Sequence, residues 1–122
     1  MERLNFSSSL SFSRIIYGMW RLANDANTST KHINTKVNLC LDQGITTFDQ
    51  AAVYGLYTAE GLFGSVLKAT PSLRHKIEIV SKCGIVNPSD RYSNATFSHY
   101  DTSREHIFSS VDASLKNMST DY

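Results

Sequence analysis

Short apolar segments rich in β-branched and aromatic residues alternate with longer segments whose apolar residues recur every three or four positions. This alternation restricts the fold more than any other feature of the chain. Ile15-Ile16-Tyr17-Gly18-Met19-Trp20 reads as a buried strand. After the polar residues 24–30, Ile33, Val37, Cys40 and Leu41 fall at helical spacing, and Gly44 supplies the stop. Ile45-Thr46-Thr47-Phe48-Asp49 is a second strand. Leu62, Phe63, Val66 and Leu67 form a second helical pattern ending near Pro71, with Gly61 and Gly64 weakening its start. Ile77-Glu78-Ile79-Val80-Ser81-Lys82 is the third strand. Thr102 and Glu105 then make a T-x-x-E capping box ahead of Ile107, Val111, Leu115 and Met118, which share one helical face ending near Asn117.

Strand and helix in this order imply parallel strands joined by right-handed crossovers, in a barrel or a doubly wound sheet. No glycine-rich phosphate loop follows the first strand, so a small receiver-like or flavodoxin-like domain lacks support. Residues 3–14 set Leu4, Phe6, Leu10 and Phe12 among serines, a pattern that suits a hairpin. There is no internal repeat, low-complexity tract or linker.

Composition narrows the function classes. The 12 basic residues nearly cancel the 11 acidic ones and form no stripe, which argues against nucleic acid as a partner. No apolar run approaches the roughly 20 residues of a membrane helix, and the first residues lack a signal-peptide core, so a cytoplasmic protein is expected. Cys40 and Cys83 lie far apart with no C-x-x-C spacing or clustered histidine. They read as reduced structural residues, without zinc or a disulfide.

Active sites of parallel α/β folds collect at the carboxyl ends of the strands. Asp49 ends the second strand and Lys82 the third; neighbouring strands lie about 4.8 Å apart, which brings the pair within reach. Tyr54 follows five residues after Asp49, with Gly55 able to turn the phenol back over the strand ends. Such a trio suits carbonyl reduction. Hydride arriving at carbon leaves charge on oxygen, which a positioned acid must neutralise. A nearby ammonium makes a phenol a better acid, and a carboxylate can hold that ammonium in place. The structural alternative is an ordinary ion pair beside a turn tyrosine.

The segment Thr46-Thr47-Phe48-Asp49-Gln50-Ala51-Ala52-Val53-Tyr54-Gly55 resembles the signature of the aldo-keto reductases. Ile79-Val80-Ser81-Lys82-Cys83-Gly84 resembles that family's third-strand lysine segment, and Gly18-Met19-Trp20 the end of its first strand. Ser114-Leu115-Lys116-Asn117 with Thr120-Asp121-Tyr122 resembles the approach to its fourth. The resemblance implies an α/β chain forming the N-terminal part of a (β/α)8 TIM barrel, with three to four strands, cut before closure. It also implies an NADPH-dependent reductase of aldehydes or ketones, with Tyr54 as proton donor and Lys82 and Asp49 tuning it. Asp49 and the backbone at Met19 and Trp20 would lie beside the nicotinamide ribose. Trp20 would either wall the pocket for a small carbonyl substrate or fill the barrel mouth.

The family's fourth catalytic residue, a histidine ending strand four, has no counterpart by position. His32, His75, His99 and His106 read as surface or capping residues. The long polar connection 85–101 offers Tyr92, Phe97, His99 and Tyr100 as substrate contacts. The rival reading is a non-catalytic half-barrel that works as a binding or assembly module. On either reading the isolated fragment is expected to be inactive and to self-associate through uncovered edges.

Overall fold

In the computed structural model, which describes residues 1–122, the three apolar strands pair in parallel. β3 (Ile16–Gly18) lies beside β4 (Thr47–Asp49), and β4 beside β5 (Glu78–Val80), with Ile16, Thr47 and Glu78 in one row and Gly18, Asp49 and Val80 in another. The crossovers are α1 (Thr30–Asp42) and α2 (Ala59–Ala69). Side chains alternate across a strand, so the middle row, Tyr17, Phe48 and Ile79, points at the helices. Phe48 is fully buried, 6.0 Å from the Tyr17 ring and 5.7 Å from Phe63 of α2. Ile33 and Val37 of α1 and Val66 and Leu67 of α2 complete the core at the helical spacing read from the sequence. Each such side chain contributes about 1.5–3 kcal/mol on burial.

The other face of the sheet corrects one expectation. The first strand is not buried on both sides: Ile15 and Ile16 are exposed, because no helix covers the rows that face away from α1 and α2. Only the amino end of that face is closed, by the antiparallel hairpin of β1 (Arg3–Asn5) and β2 (Ser11–Ser13). Arg3 donates to Thr46 Oγ1 and Glu78 Oε1, both at 2.7 Å, while Glu78 Oε2 accepts the hydroxyls of Thr46 at 2.7 Å and Thr47 at 2.9 Å.

Burial pushes the Glu78 carboxyl up, but these hydroxyl and guanidinium contacts outweigh it and hold the group below its ordinary value of 4.5. A carboxyl depressed on folding stabilises the fold above its unfolded pKa, and that contribution is lost as pH falls through the folded one. Glu78→Gln is therefore expected to lower the urea midpoint at neutral pH and to flatten the loss of stability below about pH 4.5. An acid limb as steep as the wild type's would contradict this account of Glu78.

α3 (Arg104–Met118) carries two corrections. Its N-cap is Ser103, whose Oγ accepts from the His106 amide at 3.2 Å; Thr102 precedes the cap, so the T-x-x-E box does not form. The buried face is His106, Ser110, Ser114 and Met118, whereas Ile107 and Val111 are exposed and Leu115 is half-buried. Small side chains face inward because α3 crosses close to α2. A Cβ at Gly64 would come within 1.9 Å of the Asn117 carbonyl oxygen and 2.8 Å of the Met118 Cα. Gly64 thus permits the packing instead of weakening the helix, which runs unbroken from Ala59.

The connection after Lys82 is partly regular, since β6 (Ile85–Val86) pairs antiparallel with β7 (His99–Tyr100). Cys40 is buried, which pushes its thiol up; Cys83 is exposed instead of packed at the strand end. No helix is long and apolar enough to cross a membrane.

Candidate active site

The carboxyl ends of β4 and β5 bring the three expected residues together. Asp49 is the last residue of β4, and its backbone oxygen accepts from the Met19 amide at 2.9 Å, which ties it to the end of β3. Beyond β5 the chain stays alongside: Gln50 donates its amide to Val80 and Ala52 donates its amide to Lys82. Lys82 is thereby aimed back across the sheet. Its Nζ donates to Asp49 Oδ1 at 2.6 Å and to the Gln50 carbonyl at 2.7 Å.

Tyr54 reaches the same carboxylate from the following loop. Its hydroxyl donates to Asp49 Oδ2 at 3.1 Å, and the Lys82 ammonium sits 5.1 Å from its ring centre. The loop returns because Gly55 takes φ +59° and packs where a Cβ would lie 2.4 Å from the Ala23 side chain. One carboxylate thus holds the phenol and the ammonium at once. The Asp49 side chain is 30% exposed and that of Lys82 48%, so both remain open to an incoming molecule.

Met19 sends its side chain into the core, where the Gln50 amide contacts its sulfur, leaving only its backbone at the strand ends. Trp20 is 63% exposed on the turn that follows, with the Arg21 guanidinium 5.3 Å from its ring. Of the loop aromatics, Tyr100 lines a cavity of about 340 Å³ together with Tyr54, Lys82 and Cys83. Phe97 and His99 pack against each other at the surface with their rings tilted by 57°. Tyr92 packs against Tyr57 and His106.

Three residues escaped the sequence reading. Glu60 is buried and accepts from Ser81 Oγ at 2.7 Å and Asn117 Nδ2 at 3.4 Å, joining α2 to the residue before Lys82 and to α3. Its spacing from Phe63, Gly64 and Leu67 puts it on the buried helix face, a signal that was available. His106, expected at the surface, is buried beside Ser110, with its Nδ1 3.7 Å from Asp101. Gln50 is fully buried with its Oε1 unpaired, and nothing in the sequence marks it.

The aldo/keto reductase family model matches residues 14–122, which takes in every residue of this site. The chain belongs to the aldo/keto reductase family. It is 57% identical over its whole length to a 6-dehydroglucose reductase of Agrobacterium fabrum and 48% identical to the uncharacterized oxidoreductase YcsN of Bacillus subtilis. It spans about two-fifths of each, 41% and 40% respectively. Among solved structures, a putative aldo-keto reductase from Pseudomonas aeruginosa superposes with a TM-score of 0.78 at 27% identity, over 98% of this chain and 43% of that one. The three-stranded sheet with its outer helices is accordingly a partial barrel of the aldo-keto reductase (β/α)8 type.

Proposed function

We propose that this chain supplies the proton-donating half of an enzyme that reduces aldehydes or ketones with NADPH, with Tyr54 as the acid. The observation that carries this reading is the Tyr54–Asp49–Lys82 cluster, closed by contacts of 3.1 and 2.6 Å at the mouth of the parallel sheet. A phenol that gives up its proton leaves a negative oxygen, and the ammonium beside the ring stabilises it. Asp49 keeps that ammonium oriented.

The strand ends fit a nicotinamide cofactor. Gly18 stands in register with Asp49, and a Cβ there would meet nothing within 4 Å, so open floor lies beside an accessible carboxylate. Asp49 and the backbone at Met19 and Trp20 would hold the ribose side. When bound, the cofactor supplies the hydride; this chain binds and orients the carbonyl and delivers the proton to its oxygen. The substrate would be a small sugar-like aldehyde, a reading supported by the 6-dehydroglucose reductase among the relatives. A reducing, cytoplasmic setting is supported by the two unpaired thiols, one of them exposed.

Lys82→Met tests the arrangement in the reductase polypeptide that carries this segment. Tyr54 stays but loses its cation, so kcat is expected to fall about 10-fold or more while NADPH affinity changes little. Wild-type turnover in that variant, measured per folded site, would contradict the role given to Lys82.

A further inference from the structure

A second open cavity, about 680 Å³ and also lined by Tyr54, lies between the turn that carries Trp20 and Asn24 and the segment that carries Ile85 and Asn87. Its chemistry is divided. Trp20 offers a broad exposed ring, and Asn24, exposed, and Asn87, half-buried, line the same space. An amide presents both a donor and an acceptor, as a hydroxyl does, while an aromatic ring packs well on C–H surfaces. Acid, ring and amides therefore surround one space.

The position of Asn87 is fixed from across the cavity. Gly55, Leu56 and Tyr57 are all left-handed, with φ of +59°, +52° and +72°. For two consecutive non-glycine residues this is costly backbone, held only where the surroundings impose it. Tyr57 shows what imposes it. Its hydroxyl donates to the Ile85 carbonyl at 3.1 Å and accepts from the Asn87 amide at 2.8 Å, and its ring is edge-on to Tyr92 at 5.2 Å with Arg91 over the face. The loop that carries the acid is thus tied to the backbone that carries the amide.

We propose that Asn24 and Asn87 read hydroxyl groups beside the substrate carbonyl, and that Tyr57 is the positioning residue that holds Asn87 at the rim; this rests on the reductase reading above. The substrates selected are polyhydroxylated aldehydes. An unsubstituted aldehyde offers neither amide a hydroxyl and so gains neither hydrogen bond.

The test compares erythrose with butanal, matched in carbon count, in the reductase polypeptide with NADPH. Asn87→Leu is expected to lower kcat/KM for erythrose about 5- to 10-fold through KM, the effect of one lost hydrogen bond, and to leave butanal unchanged. Asn24→Leu should do the same. Tyr57→Phe keeps the ring but loses both contacts, so it should raise KM for erythrose while kcat and butanal reduction hold. Equal effects on the two aldehydes, or none on either, would overturn the proposal and leave the reductase reading standing. A wild type that reduces neither would overturn both.

Discussion

Tyr54→Phe is expected to lower kcat for carbonyl reduction by about 10² to 10⁴-fold, the usual contribution of general acid catalysis. The substitution removes one oxygen and leaves the ring where it packs, 5.1 Å from the Lys82 ammonium. Asp49 Oδ2 loses one donor at 3.1 Å, but Oδ1 keeps its ion pair at 2.6 Å, so the local structure has no reason to rearrange. Affinity for NADPH should therefore be close to wild type. A merely structural cluster behaves differently: activity then scales only with the folded fraction, and kcat per folded site is unchanged. Active-site titration alongside a thermal melt separates the two outcomes.

Gly64→Ala should cost about 3 kcal/mol, the upper part of the range for overpacking, because the three nearest atoms that the new methyl meets all belong to the backbone. Neither the Asn117 carbonyl nor the Met118 Cα can swing aside as a side-chain tip would. To relieve the contact, α3 must move away from α2. That movement also pulls Asn117 from Glu60, which accepts a hydrogen bond from Ser81, the residue preceding Lys82. Gly61→Ala is the matched control: a Cβ there meets nothing, and alanine favours the helix by up to about 1 kcal/mol. Urea midpoints of the two variants should move in opposite directions. Equal shifts would contradict the close-approach explanation.

The strand and helix order was legible because three-residue strands and core-facing positions such as Phe48, Ile33 and Phe63 follow their periodicities closely. The Asp49–Lys82 pairing was legible for a related reason: in parallel sheets neighbouring strand ends lie side by side, so the two residues could be placed together without knowing any loop. What the sequence hid depends on neighbours distant along the chain. α3 was assigned an apolar inner face, yet the face it buries is His106, Ser110, Ser114 and Met118, with its last turn against Gly64, and Ile107 and Val111 turn outward. The cap moved to Ser103 because Ser and Thr can both cap a helix, and at adjacent positions the local turn chooses between them. The left-handed run at Leu56 and Tyr57 had no signal in residue type, since neither favours that conformation and Tyr57 is tied there by its hydroxyl to Ile85 of β6 and to Asn87.

The most direct test follows the hydrogen atoms. The reductase polypeptide carrying this segment is incubated with NADPH bearing deuterium at the transferable nicotinamide position and an aldehyde in ordinary water, and the alcohol is analysed by mass spectrometry. A nicotinamide-dependent reductase with Tyr54 as its acid should place one deuterium on the carbinol carbon, none on oxygen, and should form product about 10² to 10⁴-fold more slowly in the Tyr54→Phe variant. Alcohol without carbon-bound deuterium, no alcohol from any aldehyde, or equal rates in the two proteins would contradict the account.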